Sequence, residues 1–305
     1  MNGFFNINKP RGMSSAAVVA VLRRMTGVKR IGHAGTLDPE AAGVLPIMTG
    51  KATRLFDYLT DKEKEYEAVI AFGSSTDTQD ATGNIIETGD NWPDRERVCR
   101  AAASLTGDII QIPSMYSAIK VHGEPLYRKA RKGEQIDVPQ RTVHIHQIEV
   151  LSEEPDHGFS IRVRCGKGTY IRTLCHDIGR ICGCPAHMRG LVRTRSGIFR
   201  IGEAMTLDEA AQLAGEGRLR EKLLPPDYAL SHLPQVEIPE TMKKPVRNGA
   251  KIPVTEEYRM LDEAQPVRIY LQHRFWGIAE RQGDDLRWKV QISPEEDPED
   301  IIECV

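Results

Sequence analysis

The chain has 305 residues, with 41 Lys and Arg against 43 Asp and Glu and a formal net charge of -2, and it is long enough to bury a core without disulfide or metal staples. Apolar residues make up 40% and charged residues 28%, which excludes disordered and fibrous classes, and no apolar run reaches the length of a membrane span or signal-peptide core. A near-neutral total argues, as an average, against a strongly basic nucleic-acid binder and points to a cytoplasmic enzyme or binding protein.

In chain order the pattern predicts a mixed α and β fold. A helix is expected over 15–25, and a strand over 65–72, where Tyr66, Ala68, Ile70 and Phe72 share one face. A helix over 94–105 and a strand over 142–151 follow. A further strand over 159–165 turns Phe159, Ile161, Val163 and Cys165 inward against Ser160, Arg162 and Arg164. Helices are expected over 170–182 and over 206–224, the second opening with the capping-box pair Thr206 and Glu209. Leu224-Pro225-Pro226, with Pro234 and Pro239 beyond, marks a domain boundary. Short strands over 267–271, 276–280 and 286–292, with a turn at Gln282-Gly283-Asp284, then predict a small β domain. The expected division is 1–230, 235–293 and an acidic tail over 294–305. No Rossmann or P-loop glycine signature is present.

Six cysteines, at 99, 165, 175, 182, 184 and 304, read as reduced thiols. Cys182-Gly183-Cys184 has no second pair at finger-like spacing, so no metal is predicted. Charge is distributed unevenly. Residues 1–37 hold Lys9, Arg11, Arg23, Arg24, Lys29 and Arg30 and no acid, 160–200 holds nine basic residues against Asp177 alone, and Arg128, Lys129, Arg131 and Lys132 follow Lys120. Acids gather in 284–303. The basic segments are expected to converge on a polyanion, the alternative being ordinary solvated charge.

The densest stretch is Gly32-His33-Ala34-Gly35-Thr36-Leu37-Asp38-Pro39, running on through Gly43 to Pro46. Its glycines, and Pro39 directly after Asp38, describe a tight loop whose backbone can approach a ligand and which holds Asp38 in non-helical geometry. Asp38 is therefore a candidate nucleophile or base, with a turn-capping aspartate as the plain alternative.

This stretch resembles the catalytic motif of the TruB family of pseudouridine synthases. Asn8-Lys9-Pro10-Arg11-Gly12-Met13-Ser14-Ser15 is similar to the family's N-terminal motif, and Lys64-Glu65-Tyr66 to its tyrosine-bearing strand. Gly107-Asp108-Ile109, Gln111-Ile112-Pro113-Ser114-Met115-Tyr116-Ser117-Ala118 and Lys167-Gly168-Thr169-Tyr170-Ile171-Arg172 complete the ordered set. The resemblance implies an α+β fold with a mixed, mainly antiparallel central sheet flanked by helices, and an RNA-clamping insertion at 107–135. More weakly, it implies a small C-terminal β-barrel-like PUA-type domain. It also implies a monomer that isomerises the T-loop uridine of tRNA, uridine-55, to pseudouridine. The N-glycosidic bond breaks, the base rotates and C5 rejoins the ribose, with no cofactor, no metal and no protein partner.

The same resemblance implies residue roles. Asp38 is the catalytic aspartate, adding to C6 of the base, attacking C1′ or abstracting a sugar proton. Arg172 pairs with it, since a guanidinium offsets the cost of desolvating a carboxylate beneath a bound base; a phosphate contact is the alternative. Tyr66 stacks on the target base and helps remove the C5 proton, although a strand tyrosine among apolar neighbours is also an ordinary core residue. Tyr170 and Leu191 line the uracil pocket, and Val192 stands where the family pattern has the first of two arginines. His33 takes the space left by the flipped uridine. Lys9 joins the substrate-binding set by buttressing the site or contacting backbone. Asp77 and Asp80 have a supporting role. Two other readings are a guide-RNA-dependent synthase and a tRNA-binding RNA chaperone that needs no catalysis.

Overall fold

The computed structural model describes residues 1–59, 63–117, 119–121, 123–134 and 136–292. The acidic tail expected over 294–305 lies outside the described residues. The strands are β1 (Gly3–Lys9), β2 (Ile31–His33), β3 (Ala42–Thr49), β4 (Lys64–Phe72), β5 (Ser74–Thr76), β6 (Ile85–Thr88), β7 (Gly107–Gln111), β8 (Lys120–Val121) and β9 (Glu124–Pro125). They continue with β10 (Arg141–Glu154), β11 (Gly158–Cys165), β12 (Ala186–Ser196), β13 (Phe199–Arg200), β14 (Gln235–Ile238), β15 (Ile252–Pro253), β16 (Pro266–Leu271), β17 (Arg274–Gln282) and β18 (Asp285–Gln291). The helices are α1 (Ser15–Thr26), α2 (Phe56–Leu59), α3 (Arg95–Ser104), α4 (Leu126–Arg131), α5 (Ile171–Ile181), α6 (Leu207–Gly215) and α7 (Lys243–Arg247).

Nine strands form the main sheet in the order β1-β3-β12-β4-β11-β10-β7, with β2 on β3 and β13 on β12. The β3–β12 pair is parallel and the others are antiparallel, so the sheet is mixed and mainly antiparallel. Period-two alternation makes β4 and β11 strands: Tyr66, Ala68, Ile70 and Phe72 are buried, as are Phe159, Ile161, Val163 and Cys165. Helix α1 starts where the Ser14 hydroxyl accepts from Ala17 N at 3.1 Å and stops at Gly27, whose left-handed φ of 68° closes the C-cap.

β1 and β3 carry no alternation because both of their faces are covered. Phe5, Ile7, Leu45 and Ile47 enter the core under α1, while Phe4, Val44 and Met48 enter a second core with Tyr270, Phe275, Ile278 and Val290. Their sequences therefore read as apolar runs interrupted by Gly43 and Pro46 rather than as strands. The helix expected over 206–224 is shorter. α6 begins with the predicted capping box but ends at Gly215; Gly217, at φ 73°, breaks the path, and a single 3-10 turn at Leu219–Lys222 follows.

The C-terminal five strands pair as β14-β16-β17-β18-β15, with the β17–β18 turn at Gly283. This half-barrel sheet shares the second core with β1 and β3. Leu224, at the proline-marked boundary, exchanges backbone hydrogen bonds with Phe4 at 2.8 and 2.9 Å. Among the described residues, no helix is long and apolar enough to cross a membrane.

Candidate active site

A cavity of about 650 Å³ opens where the loop between β2 and β3 meets β4, the start of α5 and β12. Asp38, Tyr66, Tyr170, Arg172 and Leu191 all line it. Four of the five sit on regular elements: Tyr66 and Leu191 on adjacent strands β4 and β12, Tyr170 at the N-cap of α5 and Arg172 in its first turn.

Asp38 and Arg172 meet directly. Arg172 Nε lies 3.0 Å from Asp38 Oδ2, and Nη1 lies 3.6 Å from Asp80 Oδ2. Nη1 also donates to Thr78 O at 3.0 Å and Nη2 to Tyr116 O at 3.2 Å. The guanidinium is buried and its three nitrogens are all engaged, so its plane is fixed. Asp80 is itself held by the hydroxyls of Thr78, at 2.7 Å, and Thr82, at 2.6 Å. The chain thus builds a carboxylate–guanidinium–carboxylate row in which Asp38, and not Asp80, is the carboxylate open to the cavity.

The loop that carries Asp38 is braced on both sides by the N-terminal segment. Ser15 Oγ donates to Leu37 O at 3.0 Å and accepts from Leu37 N at 2.9 Å. Gly12 N donates to Pro39 O at 2.8 Å. Lys9 Nζ, fully buried, donates to the carbonyls of Pro10, Met13 and Pro39 at 2.9, 2.5 and 3.0 Å. Lys9 therefore lies under the loop and braces it, and is not among the cavity-lining residues. Burial pulls its pKa down from 10.5 to about 8, against Glu40 and Asp38, which raise it.

Tyr66 is buried on the floor, and desolvation raises its pKa while the Arg193 cation opposes the shift. Tyr170 is raised for the same first reason, with Arg141 and Arg172 opposing. His33, on β2, does not line the cavity. Its Nδ1 is buried without a hydrogen-bond partner among the described residues, and burial followed by the nearby Arg193 lowers its pKa, favouring the neutral ring.

Two residues to which sequence reasoning gave no role stand in the site. Arg193, in Leu191-Val192-Arg193, is buried and donates to Val44 O, Thr36 O and Gly35 O at 2.7, 3.4 and 3.2 Å, clipping the Asp38 loop to β3. Gln111, fully buried, grips the Tyr170 backbone from both sides, with Nε2 donating to its O at 3.1 Å and Oε1 accepting from its N at 2.9 Å. The displaced arginine pattern at 191–193 and the motif position of Gln111 were the signals available for them.

The basic stretch over 160–200 is not the open cationic face that the linear count suggested. Arg162 is paired with Glu67 and Glu149, Arg164 and Arg195 share Glu63, and Arg189 faces Asp156. The acids come from neighbouring strands, which a count along one segment cannot see. By contrast, Arg24, Lys29, Arg30, Lys51 and Arg54 are exposed around α1, β2 and the turn after β3, with no carboxylate partner among the described residues.

A family model described as TruB family pseudouridylate synthase (N terminal domain) matches residues 23–171, and one described as tRNA pseudouridylate synthase B C-terminal domain matches residues 172–231. A protein named tRNA pseudouridine synthase B from Bacillus pumilus is 44% identical over 276 residues, 88% of this chain and 89% of that protein. The chain belongs to the TruB family of pseudouridylate synthases. TruB relatives of the same name are 41% identical in Bacillus subtilis, over 89% of this chain and 90% of theirs, and 40% identical in Heliobacterium modesticaldum, over 95% and 94%. The TruB fold here also superposes, with a TM-score of 0.72 and 26% identity, on a chain from the structure of an H/ACA RNP bound to a substrate RNA containing 2′-deoxyuridine, covering 96% of this chain and 85% of that one.

Proposed function

We propose that this protein isomerises a tRNA uridine, the T-loop uridine-55, to pseudouridine, acting in the cytoplasm as a monomer without guide RNA, protein partner or cofactor. The observation that carries the reading is the Asp38–Arg172 pair, open to a cavity walled by Tyr66, Tyr170 and Leu191, in a chain of this family. The volume, about 650 Å³, suits one extruded nucleotide.

In this reading the target uridine leaves the T-loop stack and enters between Tyr66 and Leu191. Asp38 engages the nucleotide while Arg172 holds the carboxylate in place. The N1–C1′ bond breaks, the uracil turns within the pocket, C5 bonds to C1′, and the C5 proton departs toward Tyr66 while N1 gains a proton. The change is redox-neutral. His33 fills the gap left in the RNA stack, and the neutral ring expected from its lowered pKa suits that place. The exposed cations Arg24, Lys29, Arg30, Lys51 and Arg54 meet the phosphate backbone, with the insertion over 107–135 closing from the other side. Residues 1–230 form the catalytic domain, and the sheet within 235–293 is a PUA-type RNA-binding module.

The test is incubation of purified protein with unmodified tRNA carrying tritium at uridine C5, followed by mapping of pseudouridine. One equivalent of tritium released from the T-loop position, with no guide RNA added, supports the reading. An inert wild-type protein, or conversion only in the presence of a guide RNA, overturns it.

A further inference from the structure

We propose that Arg141 grips a backbone phosphate of the extruded nucleotide. The inference rests on the reading of the cavity as a uridine-isomerising site and adds a positioning residue to it. Arg141 opens β10 and lines the cavity together with Asp38 and Tyr170. Its guanidinium carbon stands 5.6 Å from the Tyr170 ring centroid, so the cation is held over the ring at the cavity wall.

Among the described residues its guanidinium nitrogens make no hydrogen bond or ion pair, whereas those of its neighbours are spent. Arg172 is used up on Asp38, Asp80 and two carbonyls, and Arg193 on three carbonyls. Arg141 Nε is buried and has no hydrogen-bond partner among the described residues. An arginine N–H taken out of water without an acceptor is destabilising, and such a group is kept where a ligand supplies the acceptor. The loop facing it leaves room: Gly168 has a φ of 81°, and a Cβ there would stand 3.4 Å from Nη1.

The charge balance selects phosphate over the base. Asp38 is already matched by Arg172, so Arg141 brings a positive charge to the cavity that no carboxylate among the described residues answers. Uracil is neutral and would leave that charge uncompensated, whereas a phosphate offers both the counter-charge and two oxygens spaced for the guanidinium fork. The grip has a mechanical use. The held phosphate seats the nucleotide with C1′ beside Asp38, and because the same contact persists from the bound substrate through the rejoining at C5, it lowers KM and leaves kcat largely unchanged.

The test is a cycle between R141Q and T-stem-loops in which a neutral methylphosphonate replaces the phosphate on the 5′ or the 3′ side of the target uridine. We expect R141Q to raise KM roughly ten- to hundredfold, the size of a lost charge-assisted hydrogen bond, with kcat little changed. One methylphosphonate position should weaken wild type by a similar factor and add nothing in R141Q. R141K, which keeps the charge without the fork, should recover part of the KM and serves in the same cycle if R141Q does not fold. Equal methylphosphonate effects in wild type and variant, or a loss confined to kcat, would assign Arg141 to the uracil or to Tyr170 and overturn the proposal. An inert wild type on the natural stem-loop would instead remove the reading of the site beneath it.

Discussion

Arg172 stands between two unequal carboxylates, with its Nε 3.0 Å from Asp38 and its Nη1 3.6 Å from Asp80. The Asp38 side chain is 42% exposed and the Asp80 side chain 13%. Asp80 is locked by the Thr78 and Thr82 hydroxyls, while Asp38 faces the cavity. The buried aspartate anchors the arginine and the open one is left to meet the substrate.

Asp38→Asn should therefore separate chemistry from binding. The amide keeps the size and shape of the side chain but is neither a nucleophile nor a base, so turnover should fall by roughly 10³-fold or more. Affinity for tRNA, set by backbone contacts elsewhere, should persist. Single-turnover tritium release and filter binding on the same preparation check both halves. Undiminished turnover would remove Asp38 from the chemistry.

The arginine and its anchor should fail differently. Arg172→Lys leaves a single nitrogen to serve Asp38, Thr78 O, Tyr116 O and Asp80, which lie around three separate guanidinium nitrogens. A loss of about 1–3 kcal/mol of stability is expected from the abandoned carbonyls, together with a large fall in kcat. Asp80→Asn removes one carboxylate but keeps the fork in place on its carbonyls, so kcat should fall less and KM should hold. Urea melts and steady-state kinetics of the two variants side by side distinguish these patterns; equal defects would mean that Asp80 does more than anchor.

The alternating strands β4 and β11 were legible because one face of each is polar. β1 and β3 were not, because each strand feeds two cores and so presents no polar face. The individual cavity residues Asp38, Tyr66, Tyr170, Leu191 and Arg172 were found through a motif resemblance, and the fold brings them together. The braces were illegible for a different reason. Arg193 and Gln111 act on backbone carbonyls and amides, and Lys9 caps three carbonyls, contacts that leave no compositional trace. The same limit misread the arginines of 160–200, whose counter-charges lie on neighbouring strands.

Lys9 should give the enzyme an alkaline limit. Its pKa is lowered from 10.5 to about 8 by burial. Between those values the unfolded chain holds a proton that the folded chain has released, so the stability contributed by this group rises as pH climbs from 8 toward 10.5 and is smallest below 8. Activity should move the other way. The neutral amine has two N–H donors for three carbonyls, so one of Pro10, Met13 and Pro39 loses its donor and the loop beside Asp38 loosens. Wild-type kcat should decline above about pH 8, whereas Lys9→Met should be slow throughout and lack that inflection. An unchanged inflection in the variant would assign it to another group.

Gly43→Ala tests whether the close contact of β3 with β12 sets the catalytic loop. Gly43 has a φ of 104°, and a Cβ there would lie 2.3 Å from the Arg193 carbonyl oxygen. Neither strain nor clash can be relieved by a rotamer, so a stability loss of about 1–3 kcal/mol is expected from the backbone conformation alone, with the clash adding to it. Moving β12 away also moves Arg193, whose guanidinium holds Gly35 and Thr36 in the loop before Asp38. The variant should therefore lose kcat even at temperatures well below its melting point. Gly202→Ala, at a glycine with open space around its Cβ position and no left-handed φ, is the matched control and should change neither property. If Gly43→Ala melts early but turns over normally while folded, the β3–β12 contact supports the fold without positioning Asp38.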